Sequence, residues 1–199
     1  MKLPEPVRDG TVSIEQTLAR RRSVRSFSDT PLTLPQLSQL LWAAQGISEP
    51  RRGLRTAPSA GATYPLETLV AVGRVEGLAP GVYRYRPTEH DLVRLRDGDV
   101  RPALAAAALG QEFVASAPVS IVFAAVHERT AQRYGARAER YVAMEVGHAG
   151  QNLCLQAVAL DLGSVIVGAF RDEQVATVLG LPDQEKPLYI VPVGQGARY

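Results

Sequence analysis

Apolar and polar positions follow three different spacings along this chain, and each predicts a different kind of element. Helical spacing comes first. Ser13, Ile14, Glu15 and Gln16 have the form of a capping box, which opens a helix over 14–22. Thr33, Leu34, Pro35 and Gln36 open a second helix, with Leu37, Leu40, Leu41 and Ala44 as its apolar stripe and Gly46 as its stop. Strand spacing comes next. Residues 67–75 read as a strand, and 81–86 and 91–95 alternate around a polar turn as a hairpin. An Ala-rich helix over 100–109 lies between Asp99 as cap and Gly110 as stop. Residues 118–126 are continuously apolar, the pattern of a strand buried on both faces. A long helical region over 128–162 then ends at Gly163. Its second half is apolar nearly all round and rich in Gly and Ala, which marks a buried helix that permits close backbone approach. A short strand over 164–167, a helix from Asp172 to Leu179 with Gly180 as stop, and a last strand over 188–193 complete the order. Helices and strands mixed around one sheet make an α+β or α/β chain, read as a single domain over 1–199.

The stretch 49–65 is the longest without a pattern. A loop of that length in a compact domain tends to be functional or disordered. It holds Pro58, Ser59, Ala60 and Gly61, small residues that let backbone approach a flat ligand; an ordinary surface loop is the alternative. Arg20, Arg21, Arg22, Ser23 and Arg25 form a second cluster, either a phosphate-holding set or a solvated charged face. Val167, Gly168 and Ala169 lie where a strand gives way to a helix, an edge that ligands favour in α/β chains.

Composition narrows the choice. Lys and Arg number 22 against 20 Asp and Glu, so no strong basic excess points to nucleic acid. The one cysteine, Cys154, excludes an internal disulfide and reads as a buried inert thiol. The three histidines are far apart, which argues against zinc. Glu145 and His148 stand on adjacent helical turns and read as a hydrogen-bonded core pair rather than an acid/base pair. GxGxxG, GxxxxGK[ST] and GxSxG are absent. Neither a signal core nor a membrane-length apolar run occurs, and the expected location is the cytoplasm.

Taken together, these motifs resemble the nitroreductase family of FMN-dependent oxidoreductases. Arg21-Arg22-Ser23-Val24-Arg25 is similar to the family's phosphate motif, and Pro58-Ser59-Ala60-Gly61 to its flavin-lining loop. The stretches 57–67, 81–85 and 144–153 resemble the SagB-type, or azoline dehydrogenase, branch. The resemblance implies the nitroreductase fold, a mixed, mostly antiparallel sheet flanked by helices, in a homodimer with flavin between subunits. It implies that Arg21, Arg22, Ser23 and Arg25 hold the FMN phosphate and ribityl chain, and that Pro58, Ser59, Ala60 and Gly61 line the flavin from the partner subunit. It implies that Gln111 reaches the pyrimidine edge, that Val167, Gly168 and Ala169 give backbone contacts near N5, and that Arg198 adds a phosphate-binding base. The implied activity is ping-pong hydride transfer from NAD(P)H through the flavin to a nitro compound or quinone. Azoline oxidation on a modified peptide and a non-catalytic flavin-binding dimer are the alternatives. Where the azoline branch has a Lys-Tyr pair, this chain has Arg133-Tyr134, and arginine cannot serve as the base.

Overall fold

The computed structural model describes residues 1–196. Helix α1 spans Ile14–Arg20, and Ser13 Oγ accepts from the Gln16 amide as expected of its cap. The helix stops short of the expected Arg22. Helix α2, Leu34–Gln45, has the full capping box: Thr33 Oγ1 accepts from the Gln36 amide while Gln36 Oε1 accepts from the Thr33 amide. The patternless stretch contains a small hairpin, β1 (Ile47–Glu49) and β2 (Leu54–Arg55), and then a 3-10 turn at Ala60–Ala62.

The main sheet begins with β3 (Leu66–Val72), β4 (Gly81–Arg86) and β5 (Asp91–Asp97). Two helices separate β5 from β6 where one was expected: α3 (Arg101–Ala107) and the five-residue α4 (Glu112–Ser116). Asp99 accepts from the Arg101 amide as expected of a cap, although the formal N-cap position is Val100. Then come β6 (Val119–Ala125), α5 (His127–Tyr134), α6 (Ala138–Ala159), β7 (Gly163–Ser164), α7 (Asp172–Leu179) and β8 (Lys186–Gly194).

The expected helix over 128–162 is therefore two helices. Gly135 breaks it with φ 54° and ψ −132°, a backbone state that side-chain-bearing residues rarely adopt. At the far end Asp161, not Gly163, takes the left-handed turn. Gly163 is thereby left for β7.

The six strands run β5-β4-β3-β6-β8-β7, and every neighbouring pair is antiparallel. Side chains of β3 and β6 alternate between two cores. Leu66, Val70, Ile121 and Phe123 pack toward α2 and α6, with Leu37, Leu41, Val146 and Leu153. Leu69, Ala71, Val122 and Ala124 pack toward α3, α4 and α7, with Leu104, Val114, Val175 and Leu179. The result is a three-layer α+β arrangement with the sheet in the middle. Among the described residues, no helix is long and apolar enough to cross a membrane.

Candidate functional site

The arginine segment is positioned by the end of α1. Arg21 leaves the helix in an extended conformation, φ −54° and ψ 123°, while its amide still donates to Thr17. The chain then runs beside β7, with Ser23 opposite Ser164 and the Val24 amide donating to Ser164 O at 3.0 Å. Extended backbone alternates its side chains. Arg22 and Val24, two residues apart, line one cavity of about 340 Å³ together with Asp161, Gly163 and Arg20 at the end of α1. Arg22 also donates to Ala19 O and Arg21 O, closing the carbonyl end of α1. Arg25 takes the other direction and lies over the Phe113 ring, 5.9 Å from its centroid. Among the described residues, none of Arg20, Arg21, Arg22 and Arg25 forms an ion pair with a carboxylate.

Phe113 belongs to α4, which Gln111 precedes. Gln111 Nε2 donates to Ala108 O at 2.8 Å and to Ala169 O at 3.0 Å. Both of its donors are thus held, and Oε1 remains to accept. Val167 has no spare backbone: its amide and carbonyl both pair with Ile190. Gly168 and Ala169 are exposed, and among the described residues their amides donate to no protein group. Arg25 is thus joined to α4 through Phe113, and Gln111, which precedes α4, is joined to Ala169. Neither α4 nor Phe113 was expected from the sequence; the signal was the aromatic two residues after Gln111. Arg198 lies outside the described residues.

The loop with Pro58, Ser59, Ala60 and Gly61 is built elsewhere, against α5. Gly61, Ala62 and Tyr64 all have positive φ, at 59°, 54° and 46°. Two of these are not glycine, so the surroundings must hold the strain. Ser59 Oγ accepts from the Tyr64 amide at 2.9 Å, Arg129 donates to Tyr64 O, and Arg133 donates to Gly61 O. The Thr63 and Thr130 hydroxyls meet at 2.9 Å, and Arg55 stacks on the Tyr64 ring. A Cβ on Gly61 would lie 2.7 Å from the Tyr134 hydroxyl. Arg133 and Tyr134 therefore brace this loop. None of the hydrogen bonds, ion pairs or ring contacts among the described residues joins it to the 21–25 segment.

Beneath the loop sits Glu145, only 3% exposed. Burial pushes its pKa up to about 6, while the Ser59 hydroxyl and then Arg55 pull it down. The expected core pair with His148 does not form, because His148 points to solvent. Cys154 is buried as expected, and burial raises its thiol pKa. A cavity of about 630 Å³ lies between the N-terminal segment, α1, α2 and α6 and contains none of the expected site residues. Among the described residues, no His, Cys, Asp or Glu cluster fits a metal.

This geometry has relatives. The profile of the nitroreductase family matches residues 18–195. A nitroreductase homologue of Methanocaldococcus jannaschii is 49% identical over 184 residues, covering 92% of this chain and 91% of that one. The crystal structure of a nitroreductase homologue from Ralstonia eutropha is 34% identical with a TM-score of 0.88, covering 100% of this chain and 90% of its own. The Vibrio harveyi NADPH:FMN oxidoreductase, solved with NAD+, shares the fold at 23% identity and a TM-score of 0.67, over 93% of this chain and 69% of its own.

Proposed function

The chain belongs to the nitroreductase family, and from that premise we propose that it is an FMN-dependent oxidoreductase acting as a homodimer. The observation that carries the reading is the arginine segment beside β7. Among the described residues it offers cationic groups without carboxylate partners, near exposed backbone amides and one spare amide oxygen. A phosphomonoester, a polar ring edge and a flat ring face need such a set.

The assignments rest on what each group has left to give. Arg21 and Arg25 would hold the phosphate, with the Ser23 hydroxyl beside them. Arg22 contributes charge and a fixed helix end, since its guanidinium already holds Ala19 O and Arg21 O. Gln111 would accept, through Oε1, from the ring N–H of the pyrimidine edge. Gly168 and Ala169 would donate backbone N–H groups near N5, while Val167 fixes their position through its pairing with Ile190. Pro58, Ser59, Ala60 and Gly61 would cover the ring from the partner subunit. When bound, FMN supplies two-electron transfer through N5, from NAD(P)H to a small nitro or quinone acceptor in ping-pong order. The chain's own part is to orient the ring, fix its charge and exclude water.

Peptide azoline oxidation finds less support. Arg133 stays protonated and its guanidinium donates to Gly61 O, so it offers no base. The deciding experiment is the absorption spectrum of the purified protein before and after anaerobic NADH or NADPH. Flavin bands that bleach support the proposal. Flavin that neither nucleotide bleaches favours a non-catalytic flavin-binding dimer or another reductant. Failure to bind FMN on incubation rejects the proposal.

A further inference from the structure

A cavity of about 220 Å³ opens where β3 begins and β4 ends. It shares no residue with the set assigned to the flavin, so its chemistry is independent of that assignment. Arg55, Arg84, Arg86 and Arg129 line it, and Glu67 is the one carboxylate in its lining. Arg84 binds Glu67 at 2.7 Å and Glu185 through two bonds of 2.9 Å. Arg129 binds Glu67 at 2.5 Å, and Arg86 grips Asp91 with two bonds of 2.8 and 2.6 Å. Three carboxylates thus answer three arginines.

Arg55 is the fourth. Among the described residues it has no ion pair; its Nη1 donates to the neutral Gln45 Oε1 at 2.8 Å, and its plane lies 4.5 Å from the Tyr64 ring centroid. Burial depresses its pKa below the ordinary arginine value, while Glu67, Tyr64 and Glu145 act the other way and Arg129 adds repulsion. Among the described residues two further buried donors lack partners. Thr68 lines the cavity with a buried hydroxyl that has none, and Gln45 Nε2, on the amide that Arg55 holds, has none. Buried donors without acceptors are costly, and a cation whose direct partners are neutral favours an acceptor with negative charge.

We propose that this cavity binds a small oxyanion, a carboxylate or phosphate group, through Arg55 and the Thr68 hydroxyl. Arg55 and Arg129 both brace Tyr64, so occupancy tightens the strained loop that carries Pro58 to Gly61. The test is titration calorimetry of the protein as purified, with sodium acetate and with inorganic phosphate at constant ionic strength in chloride. Saturable binding is expected, weakened at least tenfold in Arg55→Gln and clearly in Thr68→Val. Stronger binding of acetate identifies a carboxylate ligand, and stronger binding of phosphate a phosphate group. The variant Thr68→Val keeps the side chain's size and decides the matter if Arg55→Gln fails to fold. Absence of saturable binding, or binding that both variants leave unchanged, overturns the proposal. So does phosphate binding that is lost only in Arg21→Ala/Arg25→Ala, since that belongs to the other cluster.

Discussion

Glu145 shows how a single buried side chain can carry a pH dependence. Its carboxyl is pushed up to about 6, chiefly by burial, and among the described residues one of its oxygens has no partner. The protonated form therefore favours the folded chain. That contribution is complete below the ordinary value near 4.5 and is lost as pH rises through about 6. Glu145→Gln should flatten the stability profile across that window and stabilise the protein at neutral pH by up to about 2 kcal/mol. Urea denaturation at a series of pH values checks it, and an unchanged slope would refute it. At Arg21 and Arg25 the expectation concerns binding rather than stability. The double substitution Arg21→Ala/Arg25→Ala removes two charge-assisted contacts, about 3–6 kcal/mol of phosphate binding. Purified protein should then lose its flavin while its circular dichroism stays unchanged. Wild-type flavin content would sink the assignment.

At the scale of elements, the arginine segment depends on one glycine. A Cβ on Gly163 would lie 2.7 Å from Val24 Cβ and 2.8 Å from both Val24 methyls. Val24 is held by the bond from its amide to Ser164, so it has little room to retreat. Gly163→Ala should cost about 1–3 kcal/mol of stability and weaken flavin retention together, because the same strand carries Ser23 and Arg25. Thermal unfolding with a parallel flavin titration checks both; loss of stability alone would mean that the segment holds its place without β7. Punctuated elements of this kind are legible in the sequence: Thr33 and Gln36 before α2, Gly180 after α7, and the apolar run of β6. Elements too short to repeat their own period are not. Strands β1 and β2 have three and two residues and α4 has five, too few to repeat a pattern. The break between α5 and α6 is hidden because Gly135 alone carries it, and an isolated glycine is tolerated within a helical pattern.

At the scale of the molecule, the expected site is legible as a set of residues but not as an arrangement. Sequence order says nothing of the tie from Gln111 to Ala169, or of Arg25 over Phe113, since both cross between elements far apart in the chain. Nor does it say that the 58–61 loop is braced by α5 while the 21–25 segment runs beside β7. If the loop covers the flavin from the partner subunit, as proposed, a second copy brings the loop of one chain to the arginines of the other. The surface offers a face for that copy. Ile14 and Leu18 stand one turn apart on α1 with 56% and 54% exposure, and Ile14 opens onto the large cavity beside Trp42 and Leu155. Large apolar side chains exposed at i and i+4 on a helix are what a covered interface would use. Ile14→Glu/Leu18→Glu should therefore convert the protein from twice the chain mass to a monomer by light scattering. Flavin should leave with the partner, and unfolding of the wild type should depend on protein concentration where that of the variant does not. A variant that stays dimeric would move the interface to another face. A monomer that keeps its flavin would show instead that one chain completes the site, and the role given to Pro58, Ser59, Ala60 and Gly61 would fall.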